Sequence, residues 1–217
     1  ADARRRCRRH QRDHRLSLHA RLKKILHCRV FPRLAFARGV RYYLSQHALS
    51  WRAQVPETTV FLQSNEYIKE NFIFSGTLSH GVDRHNYDEH LWRGWLVAFA
   101  TRYVITFAEN NNLNFVECGV ADGDTSFHVL LQLKSKPELF LRAKMWLYDS
   151  WGAMQSQHLH SSEKHDEGRY SDLDINACKK NLKEFEEILI YNQGYIPEIF
   201  ESIPEHPDGV NYLHIDL

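Results

Sequence analysis

Residues 115–126 read Phe115-Val116-Glu117-Cys118-Gly119-Val120-Ala121-Asp122-Gly123-Asp124-Thr125-Ser126, and their reading decides the fold. An apolar pair, Phe115-Val116, leaves the Asn-rich turn at 110–114 and ends on an acid, Glu117. Two glycines follow four residues apart, Gly119 and Gly123, and Thr125 then opens the helical stretch Phe127-His128-Val129-Leu130-Leu131. Strand, acid, glycine turn and helix in this order form a nucleotide-type cofactor loop. The glycines allow positive φ and close approach of backbone to a ligand. A tight strand-to-helix turn without a ligand would use the same residues.

The spacing narrows the ligand. A dinucleotide site uses G-x-G-x-x-G to seat a pyrophosphate on the helix N-terminus. Here the pattern is E-x-G-x-x-x-G, and a carboxylate before the first glycine repels a pyrophosphate. It attracts an ammonium group or a neighbouring sulfonium, which favours S-adenosylmethionine over NAD. A second acid-terminated strand supports this: Met145-Trp146-Leu147-Tyr148-Asp149 is followed by Ser150-Trp151-Gly152. In a βαβ unit such an acid lies at the carboxyl end of the neighbouring strand, where it can accept both ribose hydroxyls.

These stretches, with Gln193-Gly194-Tyr195, Ile203-Pro204 and Leu213-His214-Ile215-Asp216, resemble the motifs of the macrocin-O-methyltransferase-like family. The pattern V-E-x-G-V-x-x-G, D-S/T-F-x-G, G-x-F with a later L-P, and L-x-x-D is matched in order over roughly residues 110–217. Asp124 and Thr125 stand where small residues are usual, Trp151 replaces Phe and Ile203 replaces Leu. The resemblance implies a class I S-adenosylmethionine-dependent O-methyltransferase, often metal-dependent and acting on sugar hydroxyls. On that reading Glu117 receives the methionine amine, and the backbone of Gly119, Val120, Ala121 and Gly123 cradles the amino-acid part. Asp149 binds the ribose, Ser150 and Trp151 lie beside the adenosine, and Gln193 and Gly194 border adenine.

The segment predicts an α/β, Rossmann-like sheet. Strands at about 115–118, 144–149, 188–193 and 210–216 alternate with helices at about 125–135 and 173–187, the rhythm of a parallel sheet. Asp172 or Asp174 can cap the second helix, whose apolar face is Ala177, Leu182, Phe185 and Ile188. Four strands are fewer than the seven of the class I fold, so the sheet is expected to be C-terminally truncated. Asp216, at the end of the fourth strand, is placed either as a Mg²⁺ ligand or as a strand-end acid that caps a turn or positions the cofactor. A metal there would acidify an acceptor hydroxyl.

Upstream, charge is unevenly distributed. Residues 1–50 hold fourteen Lys and Arg against Asp2 and Asp13, whereas the rest of the chain holds fourteen basic against twenty-five acidic residues. Residues 1–15 carry seven arginines and little that is apolar, which predicts disorder. Residues 16–85 form a second, basic helical and loop region. Within it, 16–50 read as two short amphipathic helices, either a lid or dimer arm or a contact for an anionic surface. Pro56, Ser75-Gly76-Thr77 and His80-Gly81 give 51–85 loop character. The partial methyltransferase domain is then 86–217. It opens on a helix at about 86–109, with an apolar face of Leu91, Trp92, Trp95, Leu96, Phe99, Tyr103 and Phe107 packed on the sheet. His158, His160 and His165 sit among polar residues, the profile of a solvated loop, with a substrate-facing lid or a metal site as the alternatives.

Cys7, Cys28, Cys118 and Cys178 form no C-x-x-C pair, which argues against a zinc ribbon or disulfide framework and suits a reducing, cytoplasmic compartment. No run of eighteen apolar residues predicts a membrane span. The expected function is methyl transfer from S-adenosylmethionine to a hydroxyl-bearing small molecule. It would be Mg²⁺-assisted if Asp216 is a ligand, with no nucleic-acid partner and with a homo-oligomer compatible. The alternative is a non-catalytic module that binds an adenosine cofactor or a partner through a truncated sheet and a basic arm.

Overall fold

The alternation of short apolar runs with amphipathic stretches produces a four-stranded, all-parallel sheet. The computed structural model describes residues 56–75, 86–108 and 112–217. The expectations for the Arg-rich segment 1–15, the basic amphipathic stretch 16–50, His80 and His85 lie outside the described residues. Strands β1 (Leu113–Cys118), β2 (Ala143–Asp149), β3 (Leu189–Gln193) and β4 (Tyr212–Ile215) stand in the order β3-β2-β1-β4. The chain therefore winds outward from β1 through β2 to β3, then returns to β1's other side as β4. This reversal creates a switch point between β1 and β4, the place where open α/β sheets bind ligands at their carboxyl ends.

Register follows from the two-residue side-chain period. Phe115, Glu117, Met145 and Leu147 share one face, with Phe115 opposite Met145 and Glu117 opposite Leu147. All four are fully buried. Val116, Cys118, Trp146 and Tyr148 share the other face and pack with Ile199. Ile199 lies on a short helix, α6 (Glu198–Ser202). Burial on both faces suits a parallel sheet, whose strands are apolar throughout.

Helix α3 (Asp124–Lys134) follows the glycine turn and is flanked by α1 (Pro56–Asn71) and α2 (Tyr87–Phe107). The sequence reading placed 51–85 in loops, whereas α1 is a sixteen-residue helix. Its Pro56 occupies the first turn, where a missing N–H costs nothing. Its buried side is mixed: Thr58, Phe61, Ser64, Asn65 and Ile68. Tyr67 stacks on Phe127 of α3 at 4.9 Å. The body carrying the sheet thus includes residues before 86, within a compact unit of Ala53–Leu217.

Helix α2 forms where expected but presents a different face. Leu91, Gly94, Val97, Ala98 and Thr101 are buried, while Trp92, Leu96, Phe99, Tyr103 and Phe107 are exposed. Small side chains let α2 approach α3 closely, and the buried stripe is chosen by fit rather than by hydrophobicity. The helix expected over 173–187 is also interrupted. Asp174 caps α5 (Ile175–Asn181) by accepting the Asn176 N–H at 2.8 Å. Leu182, fully buried against Gly123, then turns the chain into a 3₁₀ segment, Lys183–Ile188. The expected face of Ala177, Leu182, Phe185 and Ile188 is buried throughout. A single-turn helix α4 (Pro137–Phe140) leads into β2. Among the described residues no helix is long and apolar enough to cross a membrane.

Candidate functional site

Ladder hydrogen bonds continue one residue beyond three strands and bring their ends to a common level. Gly119 N–H donates to Tyr148 O at 2.9 Å, Gly194 N–H to Asp149 O at 2.9 Å and Asp216 N–H to Cys118 O at 2.8 Å. The residues after β1, β2, β3 and β4 therefore meet along one edge of the sheet. A cleft of about 590 Å³ opens there, lined by Gly119, Val120, Ala121, Asp149, Ser150, Gly194 and Asp216.

The turn between β1 and α3 is built on two left-handed glycines, Gly119 at φ +85° and Gly123 at φ +88°. A Cβ on Gly119 would lie 2.0 Å from the carbonyl oxygen of Asp216, and one on Gly123 would press on Leu182 and Cys178. Both positions thus require glycine for conformation and for space. Ala121 also has positive φ, +49°.

Asp149 fixes this turn. Its Oδ2 accepts the N–H of Val120 at 2.6 Å and of Ala121 at 2.8 Å, and its Oδ1 accepts the N–H of Trp151 at 2.7 Å. The Trp151 indole donates to Ala121 O at 2.8 Å, closing the loop from the other side. A carboxylate offers about four acceptor positions, so three are committed and one remains for a ligand hydroxyl. Trp151 itself is buried behind the cleft, as is Gly123, and Gln193 turns outward to donate to Ser150 O at 3.2 Å. None of these three lines the cleft.

Glu117 points away from the cleft and into the fold, fully buried. It accepts the hydroxyls of Thr125 and Ser126, at the start of α3, and His214 Nδ1 lies 2.8 Å from its Oε1. Its two oxygens are satisfied by partners that join β1, α3 and β4. The two hydroxyl residues at the head of α3, one of them departing from the family pattern, thus serve this buried acid.

Other acids stand nearer the opening. Asp122 accepts the Ser75 N–H at 2.9 Å together with the Ser75 hydroxyl. Asn181 accepts the Ile73 N–H at 2.8 Å and donates to Ile73 O and Asp122 O, both at 2.9 Å. This network straps residues 73–75 over the glycine turn. Arg93 of α2 enters the cleft and pairs with Asp216. Asp124 lines the same wall; burial pushes its carboxyl up, and the Arg93 guanidinium pulls it down. Sequence reasoning did not select Arg93, whose place beside β4 arises only from tertiary packing of α2.

The opposite wall is the excursion 154–169, closed by Met154 N–H to Arg169 O at 2.8 Å and Gly168 N–H to Met154 O at 2.9 Å. His160 caps a 3₁₀ turn within it, and His160 and His165 are exposed, as a solvated loop predicts. His158 is exposed as well and lines the cleft, stacked on Tyr195 at 4.2 Å and 9°. Tyr195 is anchored through its hydroxyl, which donates to Ala153 O.

Among the described residues no group of three or more His, Cys, Asp or Glu side chains is placed to hold a metal ion. Asp216 faces the Arg93 guanidinium. Cys118 and Cys178 are buried free thiols, both pushed up by burial. Neither a scan against protein-family models nor a search of curated proteins returns a match to this chain.

Proposed function

We propose that this chain binds S-adenosylmethionine at the carboxyl edge of its sheet and belongs to the O-methyltransferases, acting on a hydroxyl-bearing small molecule. The observation that carries this reading is the union of the glycine turn with Asp149 beside a cleft at the β1–β4 switch point. The cleft volume lies within the range of small-molecule sites, about 300–1,000 Å³. Asp149 retains one acceptor position, which suits a hydroxyl of an uncharged ribose. The acids around the turn, Asp122, Asp124, Asp149 and Asp216, oppose a pyrophosphate and so disfavour a dinucleotide.

Bound S-adenosylmethionine supplies an electrophilic methyl group. The chain's own contribution is to hold donor and acceptor in line and to exclude water between them. Asp149 and the Val120 and Ala121 backbone form a rigid floor. The 154–169 wall, with His158 and Tyr195 in contact, gives the acceptor a flat surface opposite that floor.

Titration calorimetry on this chain tests the reading. S-adenosylmethionine and S-adenosylhomocysteine are expected to bind with one site per chain, and NAD is not. Binding of NAD with no heat from the other two would overturn it.

A further inference from the structure

Helix α2 carries apolar residues on two opposite sides. One side, Leu91, Gly94, Val97, Ala98 and Thr101, is buried, with Gly94 against His128 of α3. The other is a seam of large residues at steps of four, three, four and four: Trp92, Leu96, Phe99, Tyr103 and Phe107. Phe99 is 47% exposed, Leu96 51%, Tyr103 63% and Phe107 67%. A helix that is apolar all round is ordinarily buried all round. The rings of the seam are already ordered within the helix: Trp95 stacks on Phe99 at 5.4 Å, and Tyr103 meets Phe107 at 4.7 Å. None of the five seam residues lines the cleft, so a ligand there does not account for them.

We propose that this seam is the interface of a two-fold homodimer, in which α2 of one copy packs antiparallel on α2 of a second copy. The inference is independent of the cofactor reading. Steps of three and four set the large side chains along one line of the helix, the spacing with which two helices interlock. A two-fold axis demands a surface that complements itself. The seam meets that demand because its residues carry no charge: rings meet rings, and no carboxylate or cation is taken out of water. With the axis level with Thr101, antiparallel packing brings Phe99 of each copy opposite Tyr103 of the other. The area is sufficient. The exposed fractions leave on the order of 500 Å² of apolar side-chain surface on each copy. That is at the upper end of what monomers keep open. Face to face, two copies remove about 1,000 Å², the size at which specific interfaces begin. A lipid surface fits less well. Helices that lie on lipid line their polar side with Lys and Arg. The reverse side of α2 is buried, Arg93 is paired with Asp216, and Asp88 and Glu89 stand in the first turn.

Size-exclusion chromatography with light scattering, over a concentration series of the chain, tests the proposal. The expected species has twice the mass of one chain, and no larger species accumulates. Phe99→Lys and Tyr103→Glu, both at exposed positions, should each weaken dimerisation at least about tenfold and leave the far-UV circular dichroism unchanged. The two substitutions in one chain set lysine opposite glutamate across the axis. That chain should dimerise at least about fivefold more tightly than either single variant. If a charged variant fails to fold, Leu96→Gln and Phe107→Gln probe the same seam with milder changes. A chain that stays monomeric up to hundreds of micromolar overturns the proposal. A dimer that the seam variants leave intact overturns it too, as does an open series of aggregates. A double variant no tighter than the singles overturns the antiparallel pairing. A monomer that sediments with vesicles of phosphatidylcholine and phosphatidylserine, and loses this in Phe99→Lys, gives the seam to a lipid surface instead.

Discussion

The imidazole of His128 occupies the place where a side chain on Gly94 would begin: a Cβ there would stand 2.4 Å from Nε2. This contact fixes how closely α2 lies against α3. The ring bridges three helices, with Nδ1 2.6 Å from the Ser64 hydroxyl and Nε2 3.1 Å from the Tyr87 hydroxyl. The Ser64 hydroxyl also donates to Phe61 O at 2.7 Å and the Tyr87 hydroxyl to Asn65 Oδ1 at 2.9 Å, so the ring belongs to a network that spans all three helices. Gly94→Ala should therefore destabilise the chain by about 1–3 kcal/mol, the cost of overpacking. Urea unfolding measures it, and adding His128→Ala should recover part of the loss. Wild-type stability in Gly94→Ala would show that the ring has room to move.

Burial holds the His128 pKa down to about 3. The sign follows directly. The folded state refuses a proton that the unfolded chain accepts below its ordinary value near 6.5, so the stabilisation is complete above about 6.5 and is lost as pH falls toward 3. Tyr87 beside it is raised far above its usual value and stays neutral throughout. Stability should decline by up to about 1.4 kcal/mol per pH unit in this window from this group. Comparing unfolding at pH 7 and pH 5 in the chain and in His128→Gln checks it: the substitution should flatten the dependence.

Glu117→Gln should lower stability by about 1–3 kcal/mol, since an amide cannot accept from Thr125, Ser126 and His214 as a carboxylate does. It should leave the ratio of S-adenosylhomocysteine to 5′-methylthioadenosine affinity unchanged. A selective loss of the amino-acid ligand would return ammonium recognition to Glu117.

Asp149→Asn places an amide N–H₂ against backbone donors. Repulsion at Val120, Ala121 or Trp151 should loosen the turn, lowering affinity for every adenosine ligand by about tenfold or more, together with thermal stability. Full affinity in this variant would detach Asp149 from the site.

Much of this architecture was legible because it is local. β1, the glycine turn and α3 follow one another within Leu113–Lys134, and apolar runs ending in Glu117 and Asp149 mark strands at any level of detail. What was hidden depends on partners distant in sequence. The inner face of α1 uses Thr58, Ser64 and Asn65 beside Phe61 and Ile68, so hydrophobic periodicity is diluted. In α2 the aromatic stripe dominates the pattern, but Gly94 and Ala98 set the contact. The contact of Glu117 with His214 was not legible, because nothing local announces a partner ninety-seven residues away. Arg93 carries no motif at all.

The strap over the glycine turn has a temporal consequence. Ile73 and Asn181 are separated by 108 positions, and one amide side chain satisfies three backbone groups, two on Ile73 and one on Asp122. On a chain emerging from its N-terminus, α1 appears long before that amide does. Closures between such distant residues are slow, and until Asn181 has been made the strap over residues 73–75 lacks this partner. The roof of the cleft is thus set only after the glycine turn beneath it has been made, once Asn181 has joined the chain.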